Sequence, residues 1–162
     1  FPFKAKFDYS YSGIMRSFFD SQKRMQNRST DILLIHDIGK MAHPQHHEVY
    51  WQQLLHGGLQ ALRELKQAGD IRAFGLGVNE VEVCHKLLDV CEPDCLLLAG
   101  RYTLLEQSPI HDLLPRCVNQ GVSIMAGGIY NSGILASFAS ETKQSRKKPL
   151  LCNQFVCVMK CH

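Results

Sequence analysis

The chain has 162 residues, of which 45% are apolar and 20% charged, with a formal charge of +3. That length and balance describe a folded domain with a real core and exclude a disordered chain. The charge gathers in the late run Lys143 to Lys148, which argues against a nucleic-acid-binding surface, and no stretch approaches the ~20 apolar residues that cross a bilayer.

The opening Phe1-Pro2-Phe3-Lys4-Ala5-Lys6 lacks the charged-then-apolar order of a secretory leader, and without an initiator methionine it reads as a start inside a longer product. Ile14, Met15, Phe18, Phe19 and Met25 recur at roughly helical spacing and predict a helix over Ser12 to Met25. The run Ile32 to Ile35, flanked by Asp31 and ending on His36-Asp37, is short and continuous. It suits a strand buried on both faces, as in a parallel sheet. Gly39 to His47 is a loop with Pro44. Glu48 to Ala68 repeats Leu54, Leu55, Leu59, Leu62 and Leu65 as one helix, stopped by Gly69. Ile71 to Val78 is a second strand, Glu80 to Val90 a helix and Asp94 to Ala99 a third strand. Ser108 to Gln120 is a helix closed by Gly121, and Val122 to Ala126 is a fourth strand.

The order α-β-α-β-α-β-α-β, with crossovers long enough for parallel pairing, predicts an α/β fold, either a barrel or an open doubly wound sheet. Four strands are half of an eight-stranded barrel. After Leu135 the character changes. Residues 136–148 are small, polar and basic, and Leu150 to His162 is apolar and cysteine-rich. The expected division is therefore a partial barrel over 1–135 and a divergent tail over 136–162, with the tail read as a spliced, frameshifted or artificial terminus.

His36 at the end of a buried strand has two readings. It caps the strand by bonding to backbone, or it faces the mouth of an α/β barrel, where it can bond a substrate oxygen or move a proton. Gly75 and Gly77 let a ligand or another backbone come close. They are no dinucleotide fingerprint, because no third glycine opens the following helix. Asn79 can bond a primary amide or simply make a turn. Arg101 and Tyr102 follow the third strand and are expected to face the same mouth. Gly127, Gly128, Ile129, Tyr130, Asn131, Ser132 and Gly133 form the best anion-binding candidate, offering backbone N–H groups and two polar side chains at a strand end. His43, His46 and His47 with Glu48 fall in a loop near Pro44 and are not read as a metal site. The minority reading there is substrate contact. Cys84, Cys91, Cys95 and Cys117 lie in core-like segments, which suggests reduced thiols in a cytoplasmic protein. Cys152, Cys157, Cys161 and His162 are soft ligands in the tail, and no metal is assigned to them.

The strand ending His36-Asp37, the stretches Gly69 to Glu80, Ala99 to Gln107 and Gly127 to Leu135, and the opening Phe7 to Gly13 together resemble the aldo-keto reductase superfamily. Within it they are most similar to the L-fucose and D-threo-aldose 1-dehydrogenases and the related pyridoxal 4-dehydrogenases. The resemblance covers residues 7 to 135 and implies a TIM barrel, here about strands 4 to 7 with their helices. It implies NAD or NADP as cofactor and hydride transfer at C1 of an aldose or a related alcohol or aldehyde. His36 is then the active-site histidine. Gly77, Asn79 and the Gly127 to Gly133 loop are the cofactor wall, with the loop holding the pyrophosphate. Arg101 and Tyr102 face substrate. The family's aspartate, tyrosine and lysine are expected before Phe1, so weak or absent catalysis is expected of this chain. Two alternatives belong to other classes: a non-catalytic half-barrel that associates through its open strand edges, and a small metal-binding protein using the tail cysteines.

Overall fold

An uninterrupted apolar run has no polar face to show solvent, and Ile32–His36 forms strand β1. In the computed structural model residues 6–26 and 29–131 are described. Three further strands follow, β2 (Ala73–Val78), β3 (Cys95–Ala99) and β4 (Ser123–Gly127). They pair in chain order, and every pairing is parallel. Among the described residues five α-helices accompany them: α1 (Tyr11–Met25), α2 (His47–Gln53), α3 (Leu59–Gln67), α4 (Val81–Val90) and α5 (Leu113–Gln120).

The strand order decides between the two architectures. A doubly wound sheet reverses order at a switch point and carries helices on both faces. Here the order never reverses. Phe18, Leu62, Leu87 and Cys117 come from four different helices, yet share one core with Leu33, Ile35, Leu76 and Leu96. The helices therefore cover a single face, as right-handed crossovers between successive neighbours require. The described residues form a four-stranded sector of a (β/α)8 barrel.

Register sets the other face. His36 lies beside Gly77, Gly77 beside Leu97, and Leu97 beside Met125. The row below is Leu34, Gly75, Cys95 and Ser123. All four strands end together, so the loops after β1, β2, β3 and β4 gather at one rim.

Two helices differ from their expected form. Glu48 to Ala68 is not one regular helix, because a π turn, Leu54–Gly58, separates α2 from α3. It falls where the chain ahead of α1 crosses the helix. A Cβ on Gly58 would collide with the Tyr9 carbonyl oxygen, and the wider turn sits at that crossing. The segment Ser108 to Gln120 also breaks. Ser108–Ile110 is a 3-10 turn, and α5 begins only at Leu113, where Asp112 accepts the Leu113 N–H. Pro115 is the reason. It lacks an N–H and is tolerated only in a first turn, so a helix running through from Ser108 would have been broken there. β2 starts at Ala73 rather than Ile71, after Arg72 and Ala73 both donate to the Asp31 carbonyl. The boundary at residue 135, and the tail with Cys152, Cys157, Cys161 and His162, lie outside the described residues.

Candidate active site at the strand ends

The β1–β2 ladder continues one residue past the strand, because the Asp37 N–H donates to the Gly77 carbonyl at 3.0 Å. Asp37 then turns with φ of 42°, in the left-handed region that Asp tolerates better than most side chains. Fixed on both sides, His36 presents a side chain that keeps 21% of its surface exposed. Its Nδ1 stands 3.6 Å from the Asp37 carboxylate. Gly77, its neighbour in register, carries no side chain to fill the space alongside. A Cβ there would meet Leu34 at an ordinary 3.6 Å, so packing alone does not demand glycine. Gly75 is different. A Cβ on it would land on the Cys95 carbonyl oxygen, so this glycine serves close backbone approach.

At the end of β2, the Asn79 carbonyl accepts Arg101 Nε–H at 2.7 Å. The Asn79 carboxamide has no hydrogen-bond partner among the described residues. Glu80, next in sequence, is buried, and its carboxylate accepts the Met41 N–H at 2.8 Å. After β4 the chain makes a tight turn. Gly128 has φ of 64°, Asn131 has φ of 48°, and the Asn131 N–H donates to the Gly128 carbonyl at 3.1 Å. The Asn131 side-chain oxygen is buried and has no hydrogen-bond partner among the described residues. Ile129 and Tyr130 at the tip are exposed. Gly100 ties the β3 and β4 loops together through its N–H to the Gly127 carbonyl, at 2.8 Å. Tyr102 is half-buried beside that turn and shares a shallow recess with Ala126, Ile129 and Tyr130. Thus His36, Gly77, Asn79, Arg101, Tyr102 and the turn Gly127 to Asn131 all lie along one rim. Ser132 and Gly133 lie outside the described residues.

In the histidine-rich loop the three histidines differ: His46 is exposed, His47 is half-buried and His43 is enclosed. His43 is not presented to a ligand at the mouth. It is buried among Phe7, Tyr9 and Tyr50, with ring centroids 4.3, 6.1 and 4.8 Å away. Burial pushes its pKa below the ordinary histidine value, with a smaller opposing pull from Asp37. Among the described residues no three His, Cys, Asp or Glu side chains cluster as metal ligands.

Sequence reasoning missed Tyr9. Its hydroxyl donates to the His36 carbonyl at 2.9 Å and lies 3.1 Å from His43 Nε2. It therefore holds the strand end from the helix-entry segment. The available signal was its place directly ahead of the helix cap Ser10, whose hydroxyl accepts the Gly13 N–H. Beside the open edge of β1 runs a groove of about 240 Å³, lined among others by Lys6, Asp8, Arg16, Leu34 and His36. Asp8 is no free acid there. Its bond from the Ser10 hydroxyl, with help from Arg16 at 2.9 Å, holds its carboxyl below the usual range. Burial also makes Cys84 and Cys95 poor thiolates, pushing their pKa values up to about 12 and about 11.

The sequence model of the aldo/keto reductase family matches residues 3–160, across the boundary drawn at residue 135. This chain belongs to the aldo/keto reductase family. It is similar to the pyridoxal 4-dehydrogenase of Microbacterium luteolum, with 47% identity over 136 residues, covering 83% of this chain and 40% of that protein. It is also similar to a D-threo-aldose 1-dehydrogenase of a Pseudomonas species, with 30% identity over 141 residues, covering 87% and 40%. The chain thus spans about two fifths of the length of these curated relatives. Among solved structures, aldo-keto reductase AKR11C1 from Bacillus halodurans in its holo form superposes with a TM-score of 0.65 at 24% identity, covering 85% of this chain and 41% of that one. A mutant of Gox0644 in complex with NADPH gives 0.58 at 17%, covering 81% and 44%. Both likenesses carry the fold: this aldo/keto reductase chain has the form of a barrel sector. No helix among the described residues is long and apolar enough to cross a membrane.

Proposed function

We propose that this chain supplies one wall of an NAD(P)-dependent oxidoreductase site, for hydride transfer between the nicotinamide and C1 of an aldose or a related alcohol or aldehyde. The observation that carries the reading is the juxtaposition of His36, the bare Gly77 and the Asn79 carboxamide at the ends of adjacent strands. Asn79 has its backbone held and its amide uncommitted among the described residues. A primary amide offers both donor and acceptor, which suits the carboxamide of nicotinamide. The turn after β4 fits the anionic part of the cofactor. Gly128 lets the backbone turn tightly, and Asn131 keeps a buried amide atom that has no partner among the described residues; rotating that amide exchanges acceptor for donor. Ser132 and Gly133 belong to the same proposed loop. The bound cofactor supplies the hydride. His36 holds the substrate oxygen, or a proton at its ring nitrogen, and Tyr102 with Arg101 bounds the substrate side.

Turnover by this chain alone is proposed to be weak or absent. Among the described residues the tyrosine hydroxyl that bonds at the His36 end of β1 is that of Tyr9, and it is committed to the His36 carbonyl and His43. A reducing, cytoplasmic setting goes with the reading, since Cys84, Cys91, Cys95 and Cys117 are free thiols. The test is titration of the chain with NADH and NADPH, followed by nicotinamide fluorescence. Saturable binding is expected, and the ratio of the two affinities gives the preference at the 2′-phosphate. A cooperatively melting chain that binds neither would overturn the reading.

A second reading, association of the half-barrel with another subunit or with its own copy, is favoured by one observation. Among the described residues β1 and β4 each have a single strand neighbour.

A further inference from the structure

We propose that Arg101 is a positioning residue: it ties the loops after β1 and β3 to the end of β2 and thereby sets the place of the Asn79 carboxamide. The inference rests on reading Asn79 as the partner of the nicotinamide amide.

The contacts form one continuous brace. Arg101 leaves the loop after β3 and donates through Nε–H to the Asn79 carbonyl at 2.7 Å. Its Nη2 reaches the Met41 sulfur, in the loop after β1, at 3.7 Å. The Met41 N–H in turn donates to Glu80 at 2.8 Å. Glu80 is 8% exposed, and its carboxylate occupies the space above Gly39 so closely that a Cβ on Gly39 would collide with it. Asn79 and Glu80 are adjacent in the chain. The loop that follows His36 is therefore clamped to the residue next to Asn79, and Asn79 itself is clamped from the far side by Arg101.

The chemistry requires arginine. A guanidinium is planar, and its fork can engage a carbonyl with one nitrogen while a second rests on a thioether. A lysine ammonium is a point donor on a flexible stem. A bond from a charged donor to a carbonyl is also stronger than a neutral one, which suits a residue that must hold backbone still. The atom bonded is the Asn79 main-chain oxygen, so Arg101 leaves the carboxamide free while fixing the Cα from which it projects. Gln or Ala at position 101 would keep the loop's length without this grip.

The experiment has two independent arms. In the first, the full chain is labelled with nitrogen-15, and the side-chain amide pair of Asn79 is assigned by its disappearance in Asn79→Asp. Arg101→Ala and Arg101→Lys are then compared with Glu80→Gln. Arg101→Ala is expected to shift or broaden the Asn79 pair while leaving that of Asn119, an exposed residue of α5, in place. Added guanidinium ion is expected to restore it, whereas Arg101→Lys restores it only in part. In the second arm, NADH and NADPH affinities are measured, and Arg101→Ala is expected to weaken them about tenfold, as loss of a charged hydrogen bond would. An unmoved Asn79 pair in folded Arg101→Ala overturns the proposal. Weakened cofactor binding with an unmoved pair also overturns it, by placing Arg101 on the ligand directly. If the unmodified chain binds neither nucleotide, the functional reading fails, and the amide signal still decides whether the brace exists.

Discussion

The two faces of the sheet are built to opposite rules. On the helix side the strands present Leu33, Leu76, Leu96 and Leu98, each no more than 2% exposed and packed into one core. Each large aliphatic side chain buried there contributes on the order of 2 kcal/mol of transfer free energy. The other face also carries Ile32, Leu34, Leu97 and Met125, but among them stand Gly75, Gly77, Cys95, Ala99, Ser123 and Gly127, with His36 at its rim. Small residues gain little from burial, so their selection is about space. Stability and shape are thus divided between faces of the same four strands. Substitutions on the second face should then sort by what each missing side chain leaves room for.

Gly75 is where the division breaks most severely. A Cβ there meets the Cys95 carbonyl oxygen inside van der Waals range, and backbone cannot swing aside as a flexible side chain does. Gly75→Ala should cost about 3 kcal/mol or more, since it pries β2 from β3 in the middle of the sheet. Urea unfolding measures this. A loss under about 1 kcal/mol would mean the strands can spread, and that the bare face is not enforced by backbone packing.

How much of this division is legible in the sequence depends on the residue. Periodicity yields the helix–strand order and most element bounds, because burial of one face imposes it locally. It yields the Asn79 and Gly127 rim as well, since strand ends are set by the same runs. It does not separate Gly75 from Gly77. Both read as glycines in a strand, and only three-dimensional register shows that a Cβ would strike a carbonyl at one and meet Leu34 at ordinary contact distance at the other. Nor does it find the partners of Tyr9 and His43. They are 34 residues apart in sequence, and nothing in the spacing of either predicts that they meet. Pro115 is a readable break in the segment Ser108 to Gln120, hidden by an apolar pattern that continues in phase on either side.

The second glycine separates stability from function. Gly77→Ala meets Leu34 at ordinary contact distance, so unfolding free energy should change by less than about 1 kcal/mol. The same methyl fills the space beside His36, and NADH or NADPH affinity should fall several-fold in a chain that melts normally. Unchanged affinity would show that the cofactor wall does not use this stretch of floor. A large loss of stability would show that Gly77 is held by packing as Gly75 is.

A gentler dependence belongs to the rim, where a buried titratable group links the strand end to pH. His43 packs against Phe7, Tyr9 and Tyr50, with Asp37, Glu80, His36 and His46 as the charged or titratable groups around it. Burial lowers its pKa first, Asp37 and Glu80 pull it upward, and His46 and His36 push it down. The folded-state value lies below the ordinary 6.5, so as pH falls through about 6.5 the unfolded chain takes up a proton that the folded chain refuses. Stability from this group is therefore complete above that pH and declines as pH drops toward the folded-state pKa. Asp8 contributes an acid loss of its own only in the carboxylate range, well below this window. Melting temperature measured between pH 5 and 8 should slope downward on the acid side, and His43→Gln, which has no proton to refuse, should flatten that slope. An unchanged slope in the variant would move the acid sensitivity elsewhere. It would also leave the Tyr9–His43 contact as packing with no proton linkage at the rim.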